Sequence, residues 1–292
     1  AGMEIDVVDV APLAIFNAFK HNYPDGEGCS LILDMGSRTT DLIFIEGDRI
    51  YNRSVPVAGN SITQQIAREL DMEFPDADEI KHQHAFVSFG GAYEEPTDET
   101  TKLVSKCVRS VMTRMHQEIN RSINFYRGQQ GGHAPTRIFL TGGTSVIPHL
   151  NSFLSEKLGL EVEYLNPFQE VTVGDSLPDE QISGEVHKLA ELVGLGLRKQ
   201  GNCSIEINLL PPAVATEKQI KKKQPIFLAA MACVVLALGA WAFHFHRLTG
   251  VYADQLVEVE REKAQLQGAT DQIRYVSKDL DAVVGEMSTL VG

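Results

Sequence analysis

The chain has 292 residues, 43% of them apolar, and a formal net charge of −13. That length and composition allow about two domains with a sizeable core, and the acidic balance argues against general nucleic-acid binding. Cys29, Cys107, Cys203 and Cys233 are scattered, with neither CxxC nor Cys/His ligand spacing. This disfavours a disulfide framework and a zinc site and fits free thiols in a reducing compartment.

The opening Ala1-Gly2-Met3-Glu4 carries no signal-peptide pattern. Ile5 to Val10 reads as a strand and Pro12 to about His21 as a helix with proline in its first turn. Tyr23 to Gly28 is a loop. Two apolar runs, Ser30-Leu31-Ile32-Leu33 and Leu42-Ile43-Phe44-Ile45, enclose the octapeptide Asp34-Met35-Gly36-Ser37-Arg38-Thr39-Thr40-Asp41. With the turn signal Glu46-Gly47-Asp48 behind them, they predict a β-hairpin. Its tip carries a carboxylate, a glycine and the hydroxyls of Ser37, Thr39 and Thr40. Glycine admits close approach of a ligand, and turn N–H groups and hydroxyls suit phosphate oxygens. A strand-end carboxylate can hold the water shell of Mg²⁺. Taken alone, the octapeptide is equally an ordinary polar hairpin turn.

Arg49 to Val57 reads as a further strand, and Ser61 to Leu70 as an amphipathic helix with Ile62, Ile66 and Leu70 on one face. Phe74-Pro75-Asp76 reads as a break before a second helical stretch, Ala77 to His84. His82 and His84, two apart on a helix, face different ways, so no metal site is expected there. Gly90 to Glu99 reads as a surface excursion. Leu103 to Tyr126 is one long helix, with Val104, Val108, Val111, Met115, Ile119, Ile123 and Tyr126 as its core stripe. Gly128 to Pro135 is a loop. Ile138-Phe139 then leads into Leu140-Thr141-Gly142-Gly143-Thr144-Ser145, with a helical pattern from about Pro148 to Gly159. Strand, double glycine and helix start make a second place where backbone can touch a nucleotide. Val162 to Leu165 reads as a strand, Gly174 to Ser183 as a loop and His187 to Arg198 as a helix.

In the last third, Ile205, Ile207 and Leu209 alternate with Glu206 and Asn208 until Leu210-Pro211-Pro212 halts any ladder. Such a segment suits an apolar groove or sheet edge, with Asn208 holding backbone at the rim. A plain linker is the alternative. Lys218, Lys221, Lys222 and Lys223 precede eighteen uncharged residues from Ile226 to Phe243, and Arg247 follows. That run is long enough to span a bilayer, and the lysines place the preceding residues inside. Trp241 suits an interface anchor. Beyond it, Tyr252, Val259, Leu266, Ile273, Leu280 and Met287 recur every seven residues, flanked by Leu256, Ala269, Val276, Val283 and Leu290. This predicts a coiled coil, interrupted on one flank by Lys263, Thr270 and Ser277.

The order and spacing of these motifs over about residues 1–200 resemble the PilM family, cytoplasmic actin-like proteins of type IV pilus assembly. Asp34 to Asp41 resembles the second phosphate loop, Leu140 to Ser145 the adenosine loop, and Asp9 to Ala14 and His187 to Arg198 the connecting helices. Gly59 to Ala67 resembles the family's glycine-started helix, Ala77 to Lys81 its ribose- and adenine-facing segment, and Arg121 to Arg127 the helix before the adenosine loop. The resemblance implies an α/β fold: an actin-like ATPase (ribonuclease-H-like) lobe. It implies ATP with Mg²⁺, Asp34 orienting the metal's waters, and Gly36, Ser37, Thr39, Thr40 and Gly59 around the phosphates. Gly142, Gly143 and Thr144 would flank the adenosine, with Asp78 and Lys81 near ribose and base, and any ATPase activity slow. The family's first phosphate loop has no counterpart here, so the reading expects a lobe incomplete at its N-terminus. Actin-like chaperones carry glycines where this chain has Ser37 and Arg38, and Arg38 stands either to contact phosphate or to crowd it.

Ile207-Asn208-Leu209-Leu210-Pro211 resembles the N-terminal peptide of PilN, a membrane protein that docks on PilM. The expected organisation is residues 1–201 as the cytoplasmic lobe, 202–225 as docking peptide and basic linker, 226–245 as a transmembrane helix and 246–292 as a periplasmic helix. The expected role is a bacterial inner-membrane scaffold for pilus assembly. Its partners would be PilN/PilO-like proteins and its own or a neighbouring copy through the docking peptide. The alternative is a type II secretion platform protein resembling GspL.

Overall fold

The computed structural model describes residues 5–24, 26, 28–88, 98–172, 174, 184–198 and 203–290. Its contacts divide the chain into two units, Ala1–Leu210 and Pro211–Gly292. Residues 205–210 therefore group with the lobe that precedes them.

The first unit is built on a five-stranded mixed sheet. Its strands are β1 (Cys29–Met35), β2 (Thr40–Glu46), β3 (Arg49–Val55), β4 (Pro135–Thr141) and β5 (Glu161–Tyr164), in spatial order β3-β2-β1-β4-β5. β1 and β2 form the expected hairpin, with Met35 opposite Thr40 and Asp34 opposite Asp41. β4 runs parallel to β1 and sets Thr141 beside Asp34. Leu31-Ile32-Leu33 of β1 read as a continuous apolar run because both faces of this central strand are covered. Leu31, Leu33, Met35, Leu42 and Phe44 face one core with α2 (Gly59–Leu70), α4 (Glu99–Gln129) and α5 (Leu150–Leu158). Ile32, Ile43, Ile45 and Phe139 face the other core, with Ile15, Phe16 and Phe19 of α1 (Ala11–Asn22) and Ala190 of α6 (Ala190–Leu197). The period of two in β-strands produces this split.

The α4 stripe is buried as its spacing predicts, Met112 and Cys107 joining it and Ile123 only half-covered. Asp98 starts the helix by accepting from Thr101 N at 2.8 Å. α3 (Phe74–His84) differs from the expected break at Phe74-Pro75-Asp76. Proline there occupies the first turn, where its missing N–H costs nothing, so the residues open the helix instead of interrupting one. His187 to Arg198 is not one helix either: a 3₁₀ turn, Val186–Lys188, precedes α6. Ile5 to Val10 forms no strand: the backbone bond from Leu209 N to Val8 O, 2.8 Å, is not continued into a ladder, and Val10 O accepts from Leu13 N and Ala14 N of α1 instead. The expected excursion around residues 90–97 and most of the 174–183 loop lie outside the described residues.

The second unit is a single helix, α7 (Pro212–Leu290), with Pro225 inside it. It contains a stretch long and apolar enough to cross a membrane, with a mean hydropathy of 2.4 over 18 residues and none of that stretch buried. Tyr252, Val259, Leu266 and Ile273 are exposed along its later turns.

Candidate functional site

The hairpin tip closes on a hydrogen bond from Gly36 N to Thr39 O, 3.1 Å. Ser37, Arg38 and Thr39 are exposed, whereas Thr40 is buried at the start of β2. The Thr40 hydroxyl donates to Val57 O at 2.7 Å, so the fold itself uses it. The tip's carbonyls are used too. Gly36 O accepts from Gly59 N at 3.1 Å and from Thr144 Oγ1 at 2.8 Å, and Ser37 O accepts from Asn60 N at 2.7 Å. The start of α2 and the loop after β4 are thereby tied to the same turn.

Two of the glycines are there because nothing larger fits. Gly142 has φ +88, and a Cβ on it would lie 2.6 Å from Asp34 Oδ1 and 2.7 Å from Met35 O. A Cβ on Gly59 would lie 2.7 Å from Thr144 Oγ1. Gly143 is different, since a Cβ there meets nothing within 4 Å. The loop after β4 thus presses against β1 at Gly142 and leaves open space over Gly143. Thr144 N donates to Met35 O at 2.9 Å and completes the junction. Behind the loop, His187 O accepts from Gly142 N and from the Thr141 hydroxyl.

Asp78 and Lys81, on α3, join the site through Thr63 of α2. Lys81 Nζ donates to Thr63 Oγ1 at 2.9 Å and to Asp78, and Thr63 Oγ1 lies 2.8 Å from Asp78 Oδ1 and 3.3 Å from Gly59 O. The bond from Lys81 holds the Asp78 carboxyl below its ordinary pKa. Asp34 behaves in the opposite way. Burial pushes its pKa up to about 7, aided by the charges of Glu191 and Asp41 and a hydrogen bond with Glu191. Among the described residues no three His, Cys, Asp or Glu side chains converge closely enough to hold a metal ion directly.

A second set of contacts involves the segment 205–210. Asn208 Oδ1 accepts from Val8 N at 3.1 Å and from Leu210 N at 3.0 Å, and Asn208 Nδ2 donates to Asp6 O at 3.3 Å. Asn17 of α1 reads both backbone groups of Ile205, at 3.0 and 2.8 Å. Arg198, just past α6, donates to Ile207 O at 2.7 Å and pairs with Asp9, whose side chain is 3% exposed. Ile205 packs against the α1 core, whereas Ile207 and Leu209 stay exposed and Leu210 is half-buried. Asp9, Asn17, Arg198 and Glu191 escape sequence reasoning as members of these sites. Each belongs by tertiary contact, and no local spacing marks it.

The structure therefore gathers Asp34, Gly36, Ser37, Gly59, Gly142 and Thr144 at one end of the sheet, with Asp78 and Lys81 linked through Thr63. Ile207 to Leu210 sit in the separate contact set, and Pro211 opens the second unit. A mixed sheet covered by helices on both faces, with hairpin tip and glycine loop at one end, defines an actin-like ATPase fold. The family described as type IV pilus assembly protein PilM matches residues 1–200. The chain belongs to that family. The solved structure of a PilM-PilN type IV pilus biogenesis complex is similar, with a TM-score of 0.57 and 27% identity over 71% of this chain and 55% of that one. Cell division protein FtsA of Agrobacterium fabrum is 29% identical over 42% of this chain and 31% of its own length. FtsA of Helicobacter pylori is 31% identical over 33% of this chain and 20% of its own. The chain spans about half the length of the matched structure and a third or less of these FtsA relatives.

Proposed function

We propose that this protein is an inner-membrane scaffold of type IV pilus assembly, in which a nucleotide-binding lobe is joined to a single membrane span. The observation that carries the reading is the arrangement of one polypeptide. The PilM-family lobe holds residues 205–208 of the same chain through Asn17, Arg198 and Asn208, a segment that resembles the PilN peptide, and the chain continues into an apolar helix. The PilM neighbour is titled as a complex with PilN, and PilN- and PilO-like membrane proteins are the partners that fit.

In this reading the tip between β1 and β2 takes ATP with Mg²⁺. The open space over Gly143 and the free tip backbone fit a nucleotide. Asp34 orients waters of the cation, since a direct ligand set is absent among the described residues. Gly36, Ser37 and Thr39 meet phosphates, with Thr40 contributing through its place in the hairpin. Gly142, Gly143 and Thr144 border the adenosine, and Asp78 and Lys81 lie towards ribose and base. The nucleotide's charge, once bound, is the quantity the site reads. Hydrolysis is at most slow in this account.

The lysines before Ile226 favour a cytoplasmic lobe and a periplasmic continuation. Cysteines at Gln200 and Gln267, in a background without the native four, test this. Only the latter should react with an impermeant thiol reagent in intact cells. Reaction at position 200 instead refutes the topology. The fusion of such a lobe to a span in one chain also favours a GspL-like secretion role. Deleting residues 226–243 should abolish surface pili. Normal pili with lost protein secretion would select the second reading.

A further inference from the structure

The hairpin tip holds a group that the nucleotide reading leaves unassigned. Arg38 is exposed at the outermost position of the turn between β1 and β2, and among the described residues it has no hydrogen bond and no ion pair. Free surface arginines are common, but this one has unusual neighbours. The carbonyls of Gly36 and Ser37 are committed to Gly59, Asn60 and Thr144. The N–H groups of Ser37, Arg38 and Thr39 donate to no described residue. A turn that buries its carbonyls and leaves successive N–H groups outward is a concavity for an anion. The same end of the sheet is otherwise acidic: Asp34 lies opposite Asp41 in the hairpin and feels the charges of both Asp41 and Glu191. Lys81, the other basic side chain of the site, is taken up by Asp78 and Thr63.

Among the described residues of that end, a polyphosphate meets the carboxylates of Asp34, Asp41 and Glu191 and the unpaired guanidinium of Arg38. We infer that Arg38 is a phosphate-binding side chain, its guanidinium closing over the phosphate oxygens that the tip's N–H groups receive. The inference rests on the nucleotide reading above and deepens it by naming the group that offsets the phosphate charge. A planar guanidinium presents two parallel donors to a phosphate, which an ammonium does not. Because the side chain is exposed, its effect is screened by salt.

The test is equilibrium dialysis of radiolabelled ATP against the full chain in detergent, up to millimolar nucleotide, at low and high salt. Arg38→Gly should weaken binding about three- to tenfold at low salt and flatten the salt dependence. Arg38→Lys should fall between the two. Among the described residues Arg38 makes no hydrogen bond and no ion pair, so its variants should melt with the wild type, which separates lost binding from lost structure. Gly143→Val, which fills the open space, serves as the reference for the site. Unchanged or tighter binding by Arg38→Gly, with binding lost in Gly143→Val, overturns the role of Arg38 and leaves the nucleotide site standing. Absence of any ATP binding by the wild type overturns both.

Discussion

Gly194 offers a direct test of how the lobe is put together. It lies where α6 crosses α1, and a Cβ placed on it would stand 1.8 Å from Ala14 O and 2.5 Å from Ala14 C. Ordinary contact begins near 3.4 Å, so Gly194→Ala must part the two helices by about 1.6 Å. The obstacle is backbone, and no side chain can rotate away. Overpacking of this kind costs ~1–3 kcal/mol, and more when the backbone itself has to shift. Against that stands a gain of about 1 kcal/mol for alanine over glycine in a helix interior. Taking the upper end of that cost, about 3 kcal/mol, because the obstacle is backbone, the net loss is ~2 kcal/mol, or roughly 4–8 °C in Tm for a lobe of this size. Gly196, two residues on, meets nothing within 4 Å. Gly196→Ala therefore keeps only the propensity gain and should melt at or above the wild-type temperature. The assay must report on the lobe alone. Trp241, the single tryptophan, lies on α7, so near-ultraviolet circular dichroism of the lobe's tyrosines is the suitable signal. Equal shifts for the two variants, or a Gly194→Ala protein within about 0.5 kcal/mol of wild type, would refute the close crossing.

Other consequences are equally open to measurement. Asp34 has its pKa raised from 3.8 to about 7, so the folded state holds its proton longer than the unfolded chain does. Its contribution to stability is fully present below about pH 4, declines as pH rises and is gone above 7. The Tm of Asp34→Asn should accordingly gain on wild type across that window, and a constant gap would contradict the assignment. Asn208→Ala with Leu209→Asp should expose residues 203–210 to protease while the lobe stays folded; unchanged digestion would show that the segment is not held there. Arg198→Ala strands the buried carboxylate of Asp9 and should cost ~3–5 kcal/mol, visible as a loss in lobe Tm. Leu266→Asp should weaken helix pairing in a crosslinking assay and Gln267→Asp should not, equal effects counting against the heptad register.

What the sequence made legible were features written locally. The hairpin, the glycine loop after β4 and the α4 stripe each follow from a short-range pattern of apolar spacing or turn chemistry. Phe74-Pro75 was ambiguous because proline both opens and breaks helices, and only the chain before it decides which. Ile5 to Val10 has strand composition, yet the backbone bond at Val8 reaches Leu209, two hundred residues away, and Val10 O is taken by the first turn of α1. The junction between Gly142 and Asp34 shows the same limit from another side. The glycines draw attention as ligand contacts, whereas the positive φ and the 2.6 Å approach that make Gly142 obligatory exist only once β1 and β4 lie side by side. Glu191 and Arg198 could not be read at all, since a charged residue on a short helix ordinarily signals only a solvated face.

The fastening at 205–210 has a mechanical side. Leu210 is followed directly by the residues that begin α7, so tension along that helix arrives at the lobe through Leu210. The first bonds it loads are the Leu209 N to Val8 O bond and those of Asn208, then the grip of Arg198 on Ile207 and of Asn17 on Ile205. None of these belongs to a sheet ladder, so they can yield one after another while the five strands stay paired. Paying out Ile205 to Leu210 would lengthen the tether by ~20 Å at about 3.4 Å per residue. The lobe thus carries a sacrificial length of chain between itself and any pull on the helix.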